Sequence, residues 1–103
     1  MTRKPSHPGA LLRNIILPET ELTISALAQH CGVSRNTLSK IVNERTDITE
    51  DMAMRLSRAL GSSPQFWLNM QAKHNLWKLS QDKKTVYKKI TRVTEELAGD
   101  IPF

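Results

Sequence analysis

One glycine, Gly32, constrains the fold of this chain more than any other residue. It stands between two short segments, ISALAQHC and SRNTLSKIVN, whose apolar residues recur at helical spacing. A glycine in this position accepts the left-handed backbone that ends one helix and lets the next begin at once. Ala28 is small and lies four residues before Gly32, where two helices joined this way cross closely. The spacing therefore predicts two helices joined by a tight turn.

The rest of the chain also has the periodicity of helices. Apolar residues recur at intervals of three and four along the 103 residues, and no alternating strand pattern interrupts them. We therefore predict one all-α domain. The predicted N-caps are Thr23, Ser34, Thr49 and Ser63, and the predicted helix ends are Pro18, Gly32 and Gly61.

Three regions follow from the distribution of polar and apolar residues. Residues 1–6 are predicted to be a flexible basic arm, and residues 7–77 a helix-turn-helix domain. Residues 78–103 are predicted to be a C-terminal extension that begins with a break over 78–82 and is helical over 83–98, with Asp82 as its candidate cap and Gly99 just past its end. Within that helix, a narrow apolar seam is formed by Val86, Ile90, Val93 and Leu97.

The polar face of the helix after Gly32 predicts DNA recognition. A recognition helix enters the major groove with its N-terminal residues at the base edges, where Arg pairs with guanine and Asn with adenine. The predicted base-reading residues are Arg35, Asn36, Thr37, Ser39 and Lys40. The predicted phosphate contacts are Ser25, Ser34, Asn43 and Arg45. Ser34 could instead serve only as a helix cap, and Asn43 only as a helix end.

Charge and composition indicate which kinds of binding partner and which cellular compartment suit this chain. The net charge of +5 suits a polyanion but does not prove one. The single cysteine excludes an intrachain disulfide and indicates a reducing compartment. The chain has no run of about 18 apolar residues, and MTRKPSHPG lacks the apolar core of a signal peptide. We expect a cytoplasmic protein.

No enzyme, metal or cofactor is predicted. The three histidines (His7, His30 and His74) stand apart in the sequence, without cysteines or carboxylates at ligand spacing. Cys31 is interpreted as a small buried hydrophobic residue at the helix-turn junction. The chain has no phosphate-binding glycine loop and no nucleophile elbow.

Longer stretches resemble a known family. The motifs HPGALLRNIIL, GVSRNTLSKIVNER, ITEDMAMRLSRALG and SPQFWLNMQ are similar to those of HigA/VapI antitoxins and regulators, within the Cro/repressor (XRE) type of helix-turn-helix. The resemblance spans His7 to Trp77. It implies a lambda-repressor-like five-helix DNA-binding domain, here with an additional C-terminal helix, and no enzymatic activity. It also implies a homodimer that represses its own operon at a palindromic operator, and a HigB partner toxin similar to the RelE-type mRNA interferases.

The motif SPQFWLNMQ carries bulky side chains that suit either a core or a symmetric interface. The candidates for a dimer interface are Phe66, Trp67, Leu68 and Trp77. The seam that begins at Val86 has three alternatives: it packs back onto its own domain, extends the dimer interface or docks a toxin.

Three hypotheses for function remain open at this stage. The first is an antitoxin that also represses its own operon, and the second is a stand-alone repressor without a toxin. The third is a protein-interaction module that has lost DNA binding. The third leaves Arg35, Asn36 and Lys40 without an evident reason to share one exposed face.

Overall fold

The first helical stretch begins at Pro8. The computed structural model describes residues 4–93. The elements are α1 (Pro8–Leu11), a π-helical segment (Leu12–Ile16), α2 (Leu17–Thr20), α3 (Ile24–Cys31), α4 (Arg35–Val42), α5 (Glu50–Leu60), α6 (Pro64–Asp82) and α7 (Lys84–Lys88). The first three are continuous, so this stretch and α3 to α6 form five helices, and α7 is the additional one. Residues 4–93 contain no strand, and the predicted all-α fold is confirmed.

The core is filled from each of these five helices. Trp67 is its largest side chain, only 1% exposed, and its indole N–H donates to the Ser62 hydroxyl at 2.7 Å. The other buried apolar residues are Leu12, Leu27, Ala28, Cys31, Leu38, Ile41, Val42, Ile48, Met52, Ala53 and Leu56. Burial of this kind stabilises by about 1.5–3 kcal/mol for each large side chain. One contiguous cluster therefore holds α3 and α4 against the rest of the domain.

Helix boundaries follow the predicted caps. The side chains of Thr23, Ser34, Thr49 and Ser63 each accept a hydrogen bond from the amide three residues later. Each such cap contributes about 1 kcal/mol. Gly32 and Gly61 end α3 and α5 with φ of 71° and 78°, the left-handed region.

The prediction that Pro18 ends the first helix is wrong. Proline has no N–H, and in a regular α-helix its ring clashes with the carbonyl four residues earlier. Here the preceding turn is π-helical, with the Leu17 N–H donating to the Leu12 carbonyl, five residues back. The wider turn lets the stretch continue through Pro18 to Thr20, and Glu21 then ends it with φ of 58°.

The C-terminal prediction also needs correction. The break predicted over 78–82 is absent, because α6 continues to Asp82 and the interruption comes at Lys83. Asp82 therefore ends α6 and does not cap the next helix. Of the predicted helix over 83–98, only Lys84–Lys88 is helical, residues 90–93 are not, and 94–98 lie outside the described residues. The side chains of Val86, Ile90 and Val93 are exposed, so this part of the seam does not pack back onto its own domain. Leu97 lies outside the described residues.

Residues 4 to 6, from the predicted flexible arm, contact α6. The Lys4 ammonium lies 5.3 Å from the centroid of the Trp77 ring, and the Pro5 carbonyl lies 3.0 Å from His74 Nδ1. Residues 1–3 of that arm lie outside the described range. None of the helices between residues 4 and 93 combines the length and hydrophobicity that crossing a bilayer requires.

Two histidines that stand far apart in the sequence are neighbours in the fold. The rings of His7 and His74 meet edge to face, with centroids 5.1 Å apart, so these two histidines are not isolated in the fold. His7 is 3% exposed, and its Nδ1 caps α1 by accepting the Gly9 N–H at 2.9 Å. Its Nε2 has no hydrogen-bond partner among residues 4–93 and lies 3.8 Å from Asp47 Oδ1. Burial, reinforced by His74, lowers the pKa of His7.

Gly9 allows α1 to touch α4. A Cβ at Gly9 would overlap the Ile41 carbonyl oxygen near the end of α4. Only glycine permits this contact, because both partners are backbone and neither can rotate away. The contact therefore fixes the distance between the first helical stretch and α4.

We expect Gly9→Ala to lower the free energy of unfolding by about 1–3 kcal/mol, because the two helices must move apart. Urea denaturation followed by circular dichroism would measure the change. Gly61→Ala is the comparison, since nothing lies within 4 Å of its new methyl and only the left-handed backbone is strained. A larger loss at Gly61 than at Gly9 would contradict this account of the contact.

We expect stability to fall as the pH drops below the ordinary histidine pKa of 6.5. The unfolded chain takes up a proton there, whereas His7 in the folded protein resists it, so the stabilisation is fully present above that pH and is lost below it. His7→Asn keeps a capping acceptor without a titrating ring and should reduce the pH dependence of unfolding between about pH 5 and pH 7. The exposed His30→Asn is the control. Equal slopes for wild type and His7→Asn would rule out the mechanism.

Candidate nucleic-acid interface

Helices α3 and α4 form a helix-turn-helix around Gly32. The Gly32 N–H donates to the Gln29 carbonyl at 3.1 Å, and the Val33 N–H donates to the Ala28 carbonyl at 3.0 Å. These bonds close the last turn of α3 and direct the chain into α4. Ala28 is 1% exposed, as a close helix crossing requires.

Arg55, from α5, fixes the end of α3. Its Nη1 donates to the carbonyls of Cys31, at 2.9 Å, and Gly32, at 3.3 Å. Its Nε donates to Asp51 Oδ2 at 2.8 Å, which orients the guanidinium. Carbonyls at a helix C-terminus lack partners within the helix, and a cation satisfies them well. Arg55 was not predicted as a positioning residue, because it stands 24 residues from the carbonyl it serves.

Arg13, from the first helical stretch, fixes the end of α4. Its Nη1 donates to the Val42 carbonyl at 2.7 Å, and its Nη2 donates to Glu44 Oε2 at 3.0 Å. Glu44 has φ of 60°, so it turns the chain sharply after the helix. The hydrogen bond from Arg13 lowers the pKa of Glu44. Sequence reasoning missed Arg13, whose position on the outer side of the first helical stretch gives no sign of a partner 29 residues away.

The outer face of α4 presents the predicted base-reading residues. Arg35, Asn36 and Lys40 are exposed, and within residues 4–93 their side chains make no hydrogen bond or ion pair. Thr37 is also exposed, but its hydroxyl lies 2.9 Å from the capping Ser34 hydroxyl. Ser39 is half-buried and its hydroxyl accepts from Asn43 at 3.3 Å. The face thus combines three uncommitted polar side chains with two that also serve the fold.

The predicted phosphate contacts lie at the ends of the two helices. Ser25 is exposed in the first turn of α3, and Ser34 is exposed but caps α4 through the Thr37 amide. Asn43 donates to the Ser39 carbonyl at 2.9 Å, so part of its amide is committed to ending α4. Arg45 is exposed just beyond. All four side chains reach solvent, and contact with DNA remains a prediction for each.

The candidates for a dimer interface differ in what they can offer a second copy. Trp67 is buried in the core of its own domain, which favours the core alternative for this residue. Phe66 is 44% exposed and packs edge to face on Trp67, with ring centroids 5.2 Å apart. Leu68 and Trp77 are half-buried. Phe66 also borders an apolar groove together with Leu11, Ile15, Ile16 and Leu60.

The described residues contain no group of three side chains able to hold a metal ion. Cys31 is 5% exposed, and burial raises the pKa of its thiol. The exposed charged and polar groups of α4 and its flanks suit binding to a polyanion.

Comparison with known proteins supports the same interpretation. The family described as Helix-turn-helix matches residues 12–67. An uncharacterized HTH-type transcriptional regulator of Haemophilus influenzae is 44% identical over 84 residues, which are 82% of this chain and 78% of that protein.

Among the solved structures that resemble this chain, two are antitoxins that cover most of it. The antitoxin GraA has a TM-score of 0.84 and 34% identity, and covers 89% of this chain and 100% of its own. The Pseudomonas aeruginosa antitoxin HigA, solved with the higBA promoter, has a TM-score of 0.80 and 36% identity, and covers 87% of this chain and 99% of its own. The chain therefore belongs to the helix-turn-helix family, in its HigA-type group of antitoxins and repressors.

Proposed function

We propose that this protein represses transcription by binding operator DNA through α4, acting in the cytoplasm. The observation that carries the proposal is the outer face of α4, where Arg35, Asn36 and Lys40 are exposed and unpaired within the described residues. Side chains with these donors and acceptors read base edges in the major groove. The solved complex of a HigA relative with promoter DNA supports this use of the motif.

The contacts of Arg55 and Arg13 explain how the outer face of α4 is held in position for recognition. Arg55 fixes the end of α3 and Arg13 the end of α4, so α4 is presented as a rigid unit. In the proposed complex the N-terminal half of α4 enters the groove, and the first turn of α3, with Ser25, approaches a phosphate. Arg45 would contact the backbone at the other end of α4.

Operator binding by a homodimer is part of the proposal. One small domain contacts few base pairs, and two copies at half-sites one helical turn apart supply the missing specificity. Phe66, Leu68 and Trp77 remain candidates for the symmetric contact, because each retains some exposed surface.

We further propose a HigB-like toxin, similar to the RelE-type mRNA interferases, as a protein partner. The names of the antitoxin relatives support this. A stand-alone repressor is the second candidate, supported by the Haemophilus influenzae relative, which is described only as a transcriptional regulator. A pure protein-interaction module fits less well, because it gives Arg35 and Lys40 no role.

We expect Arg35→Ala to weaken operator binding by about 1–3 kcal/mol and to relax base preference at one position, since a bidentate contact is lost. Fluorescence anisotropy with the chain's own promoter, titrated at several salt concentrations, would measure both affinity and its salt dependence. Lys73→Ala removes one exposed charge from α6 and is the matched control. Unchanged affinity in Arg35→Ala and Lys40→Ala would refute the assignment of α4 as the recognition helix.

We expect the reading frame next to this gene to arrest growth when expressed alone, and this protein to relieve the arrest when co-expressed. The Arg35→Ala variant should still rescue, because neutralising a toxin does not require reading bases. Growth curves of the three strains provide the measurement. Arrest without rescue, or no arrest at all, would favour the stand-alone repressor.

A further inference from the structure

A row of exposed apolar side chains runs along the last described part of the chain. Its side chains are Leu76, Leu79, Val86, Ile90 and Val93, which are 68%, 40%, 57%, 71% and 61% exposed. With Lys83 included, they recur at alternating intervals of three and four residues. This is the a/d pattern of a two-stranded coiled coil, with Lys83 as its one polar member. We name these six residues the C-terminal seam.

The seam begins where α6 leaves the core. Gln71 is the last buried residue along the described chain, and its Oε1 accepts the Ile48 N–H at 2.9 Å. Beyond it α6 continues for three turns without a buried apolar side chain. A turn at Lys83, with φ of −118°, separates α6 from α7, and helical structure ends at Lys88 although the apolar pattern continues to Val93. An exposed helix of this length lacks the packing that stabilises most helices in proteins.

We propose that the C-terminal seam pairs with the same seam of a second copy, as an antiparallel two-stranded coiled coil. The first argument is the position of Lys83. In a parallel pair, Lys83 would face Lys83 within one core layer. Leu76, Lys83 and Ile90 are the a positions of the seam, and Leu79, Val86 and Val93 are its d positions. In an antiparallel pair, a positions face d positions, so Lys83 lies beside Val86 of the other copy and its stem packs there.

The remaining layers of the antiparallel register are apolar. Leu76 faces Val93, and Leu79 faces Ile90, in both halves of the symmetric pair. Each layer thus joins a leucine to a β-branched residue, and burying these exposed side chains supplies the free energy of association.

The second argument is charge complementarity at the flanking positions. Asp82 and Lys89 precede a positions and are therefore g positions. In the antiparallel register, g positions face g positions, so Asp82 lies opposite Lys89 of the other copy, twice by symmetry. A parallel pair would place Asp82 opposite Tyr87 instead, and no opposite charges would meet. The segment is therefore complementary to itself in one orientation, which identifies a second copy as the occupant.

The proposed pairing is independent of operator recognition. The C-terminal seam lies on the far part of α6, whereas the proposed base contacts are on α4. Pairing would join α6 and α7 into one helix through Lys83 and extend it past Lys88, because it covers the apolar side chains that are now exposed. Failure of DNA binding would leave the self-association to be measured on its own.

Cysteine cross-linking tests the orientation directly. In a Cys31→Ala background, a tagged copy with Leu79→Cys is mixed with an untagged copy with Ile90→Cys and oxidised. We expect a disulfide between tagged and untagged copies. Disulfides only between identical copies would show parallel pairing and overturn the proposed register, and no disulfide would overturn the pairing.

Sedimentation equilibrium of the full chain measures the dimer Kd, for one substitution that should strengthen the pairing and one that should weaken it. Lys83→Leu should lower the dimer Kd at least tenfold, and Ile90→Asp should raise it at least tenfold. Lys88→Leu adds the same apolar group outside the seam and should leave the Kd unchanged. A similar tightening by Lys88→Leu, or an unchanged Kd in Ile90→Asp, would overturn the proposal and assign self-association to another surface, such as that of Phe66.

Discussion

Two guanidinium groups from outside the helix-turn-helix hold the motif together. The carbonyls at the ends of α3 and α4 have no partners within their helices, and Arg55 and Arg13 supply the missing donors. Because Arg55 belongs to α5 and Arg13 to the first helical stretch, the geometry of the motif depends on the whole domain. Gly9 adds a third constraint by bringing backbone against backbone at Ile41.

Local signals in the sequence were sufficient for the helix boundaries that depend on local chemistry. A side-chain oxygen that accepts an amide three residues later, as at Thr49, needs no tertiary information. The same holds for Gly32, whose left-handed backbone is a property of the residue itself. The all-α class and the apolar face of α4 followed for the same reason, since periodicity is a local pattern.

Features that depend on distant partners could not be predicted in this way. Pro18 would end a regular α-helix, yet a π-helical turn accommodates it, and nothing in the nearby residues specifies that turn. The proximity of His7 to His74 and the two arginine contacts join residues far apart in the chain. Of the candidate site, the exposed face of α4 was predictable, but the contacts that hold it in place were not.

The side chains proposed to read bases contribute nothing visible to the stability of the fold. Arg35, Asn36 and Lys40 make no intramolecular hydrogen bond or ion pair among the described residues, whereas neighbouring Ser34 and Thr37 serve as caps. Substitutions at these three positions therefore carry little thermodynamic penalty. Under the proposed function, a duplicated copy of this gene could acquire a new operator while keeping its core, so that specificity and foldability evolve separately.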